Sequence, residues 1–261
     1  NGQERSVTAP VPKRIRAKNI HSIIGSSNHP DLLDELSILL KKAPLDFNDL
    51  VDNSAKLLDR KIYWLSASVA PVNDHFFRTL AEVRFLYQQG AFIHLISPYL
   101  PYARSDKPEF EHGVIAQGRL VADLIECVGT QAITVVRAHS PQSLGFFKIY
   151  AQEISGRKTI IDFLKSQNIE HVISPDAGFQ KDATKYQHEL QNISAKDIGL
   201  SVMNKERSYD GKEKINGGTN LDKISGKNTV IIDDETQTGG TAEKVAQIIA
   251  AHGAKSIFAV V

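Results

Sequence analysis

Val230-Ile-Ile-Asp-Asp-Glu-Thr-Gln-Thr-Gly-Gly-Thr241 is the stretch on which the reading of this chain turns. It runs from a short apolar strand through two acids into a Thr/Gly turn, and then into the periodic helix Thr241–Ala251, closed by Gly253. In an open parallel sheet, ligands bind beyond the carboxyl ends of the strands. Gly239 and Gly240 let backbone N–H groups approach an anion closely. The helix that follows offers unpaired amides and the positive end of its dipole to a phosphate. Thr236, Thr238 and Thr241 add hydroxyls, while Asp233 and Asp234 can accept from vicinal sugar hydroxyls or hold a metal. No Gly-Lys-Ser/Thr follows, so this is not the nucleoside-triphosphate P-loop, and the glycine spacing is not that of a dinucleotide fingerprint.

Outward from this segment, short β-rich runs alternate with amphipathic helices. Strands are expected at Ile62–Leu65, Ala91–Ser97, Ala132–Val136, His171–Ser174, Ile198–Met203, Thr229–Asp233 and Ser256–Val261. Helices are expected at Asp74–Gln89, with Phe76, Leu80, Val83 and Tyr87 on one face, at Val114–Val128, and near Thr159–Gln167. Such alternation implies an α/β fold of mainly parallel sheets covered by helices on both faces. A boundary near residues 148–158 gives two units of ordinary domain size. Ser208–Asn220 has three glycines and little to bury, and reads as a mobile loop able to close over a substrate. Trp64, inside a strand, reads as core.

Composition narrows the classes further. Hydrophobic residues make up 41% and charged residues 23% of the 261, and the formal net charge is +1. No global field therefore argues for nucleic acid or an anionic membrane. No apolar run reaches the roughly 18–20 residues needed to cross a bilayer. Residues 1–19, with Arg5, Lys13, Arg14, Arg16 and Lys18 against Glu4, read as a disordered basic arm. No signal peptide is visible, although the chain starts at Asn1 and its only methionine is Met203. The single Cys127 fits a reducing compartment, hence a cytoplasmic location, and is expected to be a buried, inert thiol on the apolar side of its helix.

The loop at 230–241 resembles the phosphoribosyl-pyrophosphate loop of type I phosphoribosyltransferases and of ribose-phosphate pyrophosphokinases. Further stretches resemble the second family in its own order: Ala70-Pro-Val-Asn-Asp74, Ser97-Pro-Tyr-Leu-Pro-Tyr-Ala-Arg-Ser-Asp106, Arg137-Ala-His-Ser-Pro-Gln-Ser-Leu-Gly-Phe-Phe147, Ser174-Pro-Asp-Ala-Gly178 and Asn204-Lys-Glu-Arg207. The resemblance implies two tandem type I phosphoribosyltransferase-like domains, an ATP-binding one at 20–150 and a ribose-5-phosphate-binding one at 151–261. It implies transfer of the pyrophosphoryl group of ATP to the anomeric hydroxyl of ribose 5-phosphate, with magnesium. Arg104 and Asp106, with Phe47 and Asp49, would serve ATP, and His139 would sit beside the triphosphate and the metal. Asp176 would contact the metal or the ribose, and Lys205 and Arg207 would neutralise charge on the transferring group. Asp233 and Asp234 would hold the ribose, and Thr236, Gln237, Thr238, Gly239, Gly240 and Thr241 its 5-phosphate. A homo-oligomer, dimer or hexamer, is implied, with neither nucleic acid nor membrane as partner.

The chain also departs from the family pattern. Arg137 stands where an acid is usual, Gln237 where an aspartate is frequent, and Phe179 where a second glycine is usual. The adenine-gripping segment is reduced to Phe47-Asn-Asp-Leu50, and the family's last strand and helix are expected beyond Val261. These features favour a non-catalytic or regulatory paralogue as the alternative. A phosphoribosyltransferase, which would share only the loop, is disfavoured by the whole N-terminal half.

Overall fold

The computed structural model describes residues 23–26, 30–41, 43, 45–108, 113, 115–207, 213–236 and 238–261. The basic arm and Gln237 lie outside these residues, as does the side chain of Arg207. The chain divides into two compact units, one of residues 1–135 with 145–152, the other of residues 136–144 with 153–261.

The first unit carries a sheet in sequential order from β1 (Ile23–Ser26) through β2 (Lys61–Leu65), β3 (Phe92–Ser97) and β4 (Ala132–Val136) to β5 (Tyr150–Ile154). Pairing is parallel from β1 to β4. Alternation along β2 sorts its side chains between the two faces of the sheet. Leu65 packs with Leu33 of α1 (Pro30–Leu40), while Trp64, wholly buried, donates from Nε1 to Glu82 Oε2 at 3.2 Å on α3 (Val72–Gln88). The expected core role of Trp64 is therefore met. The short α2 (Phe47–Asp52) starts with a reciprocal capping box between Asp46 and Asp49.

Two expectations fail in this unit. Cys127 ends α4 (Gln117–Cys127) exposed, because the buried stripe runs Gly118, Val121, Ala122, Ile125 and leaves position 127 off it. Tyr87 is likewise exposed, its place on the inner face of α3 taken by Leu86.

The second unit is built on the order β10-β9-β6-β7-β8, with β6 (His171–Ser174), β7 (Gly199–Arg207), β8 (Glu213–Gly218), β9 (Asn228–Ile232) and β10 (Ser256–Val260). All neighbours are parallel except β7 and β8. Residues alternate between two cores, as the pleat requires. Val172, Val230 and Ile232 pack with residues of α6 (Arg157–Leu164) and α7 (Gln180–Ser194). Ile173 and Ile231 pack with Met203 and with Val245 and Ile249 of α8 (Gly240–Ala251). The chain starts at β6, winds outward through β7 and β8, and returns to β9 on the other side. Its strand order reverses between β6 and β9, and a crevice at their carboxyl ends is where this architecture binds ligands. The expected mobile loop at 208–220 is corrected in part: Glu213–Gly218 is a strand, with Lys205 opposite Ile215 and Arg207 opposite Glu213.

At the start of β7 a Cβ on Gly199 would clash with His171 Nδ1. The ring is 1% exposed and is held through Nε2 to Ser201 Oγ at 2.8 Å, so it has nowhere to go. Gly199→Ala is expected to destabilise the chain by roughly 1–3 kcal/mol through overpacking, read as a lower urea midpoint at unchanged slope.

Burial, then the charges of Lys227 and Lys223, lower the His171 pKa from 6.5 to about 4. A histidine held neutral in this way contributes stability that is complete above its unfolded pKa. That contribution is lost as pH falls from about 6.5 to about 4, because the unfolded chain takes up the proton first. Unfolding free energy should drop by about 2–3 kcal/mol across that window from this group. His171→Gln, measured by denaturant titration at both ends, should flatten the slope; an unchanged slope would refute the assignment.

Candidate functional site

Four of the expected site residues converge in the second unit. Asp233 and Asp234 leave the carboxyl end of β9, and Asp176 leaves that of β6, so all three stand at the strand-order reversal. His139 lies in the segment between β4 and the one-turn helix α5 (Pro141–Leu144). Its Nδ1 meets Asp234 Oδ2 at 2.5 Å. A carboxylate so placed fixes the imidazole's orientation and the protonation of that nitrogen.

The two adjacent acids are driven apart electrically. Burial raises the Asp233 carboxyl well above its ordinary range, and neighbouring Asp234 and Asp176 add to the rise. Burial also opposes ionisation of Asp234, but hydrogen bonds from His139 and Asp233 outweigh it and hold that carboxyl low. Asp234 is thus the anion of the pair. Asp176 shapes its own turn as well: Oδ1 accepts from the Phe179 amide at 3.0 Å, and Ser174 Oγ donates to the Asp176 carbonyl at 2.7 Å.

The loop between β9 and α8 has the backbone that an anion needs. Gly239 is left-handed at φ +75, a conformation glycine adopts without strain. Its amide donates to Thr236 Oγ1 at 3.0 Å, and the Gly240 amide is directed to Thr238 Oγ1 at 3.4 Å. The loop's own hydroxyls therefore collect donors that a phosphate would engage, at the N-terminus of a twelve-residue helix. Thr241 lies in the first turn of that helix. Lys205 is half-buried on β7, just past the irregularity between Met203 and Lys205. Arg207 occupies the last position of β7.

The expected ATP residues outside His139 belong to the first unit. Arg104 and Asp106 follow β3, Arg104 ending a turn, exposed, and Asp106 half-buried. Phe47 packs edge-on against Trp64 and Phe85, at centroid distances of 6.1 and 5.4 Å. Asp49 is used by its helix cap, accepting from the Asp46 amide at 3.2 Å.

Two residues near the site were not singled out as partners from sequence. Arg137 Nη1 donates to the Tyr186 hydroxyl at 2.8 Å, and the guanidinium lies 5.2 Å from the Phe179 ring centroid. Phe179 was noted only as a replaced glycine, and Tyr186 sits on α7, a helix the sequence reading passed over.

A strand-order reversal, an acid pair and a phosphate-type loop define a phosphoribosyltransferase-type domain in the second unit. Comparison with known proteins agrees: residues 142–261 match the phosphoribosyl transferase domain, and residues 46–129 match the N-terminal domain of ribose phosphate pyrophosphokinase. The ribose-phosphate pyrophosphokinase of Bacillus caldolyticus is 29% identical over 201 residues, 76% of this chain and 61% of that protein. The one of Deinococcus radiodurans is 29% identical over 249 residues, 91% of this chain and 75% of that protein. The crystal structure of phosphoribosylpyrophosphate synthetase from Mycobacterium smegmatis superposes with a TM-score of 0.76 at 25% identity, covering 91% of this chain and 79% of that one. The chain is made of two tandem phosphoribosyltransferase-type domains and belongs to the ribose-phosphate pyrophosphokinase family. It spans about three fifths of the length of the Bacillus caldolyticus relative, which it covers to 61%.

Proposed function

We propose that this chain transfers the pyrophosphoryl group of ATP to the anomeric hydroxyl of ribose 5-phosphate, giving phosphoribosyl pyrophosphate and AMP. The observation that carries this reading is the convergence of His139 on Asp234, at the end of the strand that opens the phosphate-type loop. In the reaction the anomeric hydroxyl oxygen attacks the β-phosphorus of ATP and gives up its proton to water. The bond from that phosphorus to the oxygen bridging the α and β groups breaks, and AMP leaves. Such a transfer needs little covalent help and depends on positioning and on fixed charge.

Each residue then has a task. The amides of Gly239 and Gly240, with Thr236, Gln237, Thr238 and Thr241, hold the 5-phosphate. Asp233 and Asp234 accept from the ribose hydroxyls, and Asp234 also orients His139 towards the triphosphate. Lys205 and Arg207 meet the charge on the transferring group, while Arg104, Asp106, Phe47 and Asp49 serve ATP. Among the described residues no group of three or more His, Cys, Asp or Glu could hold a metal, so magnesium is assigned only to Asp176 with His139 beside it. That ion takes one or two carboxylates, and water and the substrate phosphates would complete its shell. Asp176 and His139 would lie beside it, and when bound it would neutralise the triphosphate. The same reading makes the protein a cytoplasmic homo-oligomer, dimer or hexamer. Among the described residues no helix is long and apolar enough to cross a membrane.

The test is an assay with ATP, magnesium and ribose 5-phosphate that measures AMP and phosphoribosyl pyrophosphate together. Both are expected in equal amounts, and only when the sugar phosphate is present. Nucleotide binding without AMP formation would turn the reading towards a non-catalytic relative.

A further inference from the structure

Arg137 stands two residues before His139 with φ +48, a left-handed conformation that costs a residue with a Cβ. Its backbone is anchored, the amide donating to the Ile154 carbonyl at 3.0 Å. Its guanidinium is anchored too. Nη1 donates to the Tyr186 hydroxyl at 2.8 Å, and the guanidinium carbon lies 5.2 Å from the Phe179 centroid and 5.8 Å from that of Tyr186. Both rings are buried, at 8% and 2% exposed, and belong to the apolar core beneath α7. A planar cation spread over two aromatic rings and a phenol oxygen is a contact that lysine or an acid would not reproduce in full.

We propose that Arg137 is a positioning residue. By clasping Tyr186 and Phe179 it holds the left-handed backbone at position 137, from which the chain delivers the His139 imidazole to Asp234. For its consequences on turnover this inference rests on the proposed function; for the geometry it does not. The two departures, arginine in place of an acid and phenylalanine in place of a glycine, thereby become one device. The positive charge is committed to the aromatic pair of the α7 core. Arg137→Asp should consequently lower activity, without creating a new magnesium dependence.

The test uses the full chain with ¹⁵N-labelled histidine, without ligands, at one fixed pH. The imidazole nitrogen resonances of His139 are assigned by their loss in His139→Asn. The wild type is expected to show the tautomer protonated at Nδ1, as a carboxylate partner demands. Arg137→Ala should move the resonances towards the mixture of a free imidazole, and Arg137→Lys should move them less. Arg137→Gly, which keeps the left-handed backbone open without strain, should fall between wild type and Arg137→Ala. Tyr186→Phe should shift them in the same direction, and adding it to Arg137→Ala should add little. In the assay, Arg137→Ala should lower kcat roughly ten- to hundredfold with KM for ribose 5-phosphate nearly unchanged.

Resonances in a folded Arg137→Ala chain that match the wild type overturn the proposal, and so does a wild type lacking the Nδ1-protonated form. Should Arg137→Ala fail to fold, Tyr186→Phe decides in its place, and unmoved resonances there overturn the proposal. A wild type without turnover that still shows the locked tautomer, and loses it in the variants, refutes the proposed function and leaves the clasp standing.

Discussion

Ribose 5-phosphate is expected to bind this chain at least about a hundred times more tightly than free ribose, and the expectation follows from the loop alone. The phosphate is a dianion near neutral pH, and the turn between β9 and α8 offers it backbone donors together with the positive end of a helix. Net of desolvation, a hydrogen bond to a charged group contributes about 1.5–3 kcal/mol. Two such bonds give about 3–6 kcal/mol, roughly a hundredfold to ten-thousandfold in affinity. The left-handed Gly239 and the Thr236 and Thr238 contacts already set the loop near the required shape, so little ordering cost opposes binding. Calorimetry with both sugars measures the ratio directly. Inorganic phosphate should compete with ribose 5-phosphate, and Gly239→Val should remove most of the difference by making the left-handed backbone costly. Equal affinities for the two sugars would sink the phosphate-loop reading, whatever the fate of the ATP half of the function.

The residues of that loop were legible because their requirements are local. An apolar strand, acids at its end, a glycine turn and a helix start are contiguous between Val230 and Ala251, and each carries its own physical signature. What was hidden depends on distance. The bond between His139 and Asp234 joins residues 95 apart in sequence, and no periodicity announces it. The fold itself shows the same division. Strands β4 and β6 match their expected bounds because short runs with an apolar centre are buried almost throughout between the helical layers. Helix α7 escaped notice because its inner face is only Ala183, Tyr186 and Leu190 in an otherwise polar segment. Strand β8 escaped because Glu-Lys-Ile-Asn-Gly-Gly has neither alternation nor β-branched content beyond Ile215. It is extended because β7 pairs with it, a tertiary contact overriding weak local preference. Strand β5, with mostly exposed side chains, owes its place to the edge of a sheet rather than to a core.

Under the proposed function, that pairing bears on how Lys205 would present its charge to the transferring group. Lys205 was expected at the foot of a mobile loop, yet it stands in a two-stranded antiparallel ribbon, opposite Ile215 and half-buried. A cation held by a strand costs less to reorganise when charge develops than one on a free loop, and such preorganisation is the main source of electrostatic catalysis. Lys205→Ala is accordingly expected to lower kcat by a factor of roughly a hundred to a thousand, about 2.7–4 kcal/mol at the transition state. Ribose 5-phosphate, held by residues of another loop, should bind with nearly unchanged affinity. In kinetic terms kcat and kcat/KM should fall together, the pattern of an interaction made only in the transition state. The ribbon should survive, because Lys205 pairs with β8 through its backbone, which the substitution leaves intact, and a circular dichroism melt can verify this. Single-turnover measurement of AMP formation separates the chemical step from product release. A Lys205→Ala chain that turns over at the wild-type rate in that experiment would take Lys205 out of the mechanism. One that loses affinity for ribose 5-phosphate in proportion to rate would instead make Lys205 part of the sugar's ground-state binding.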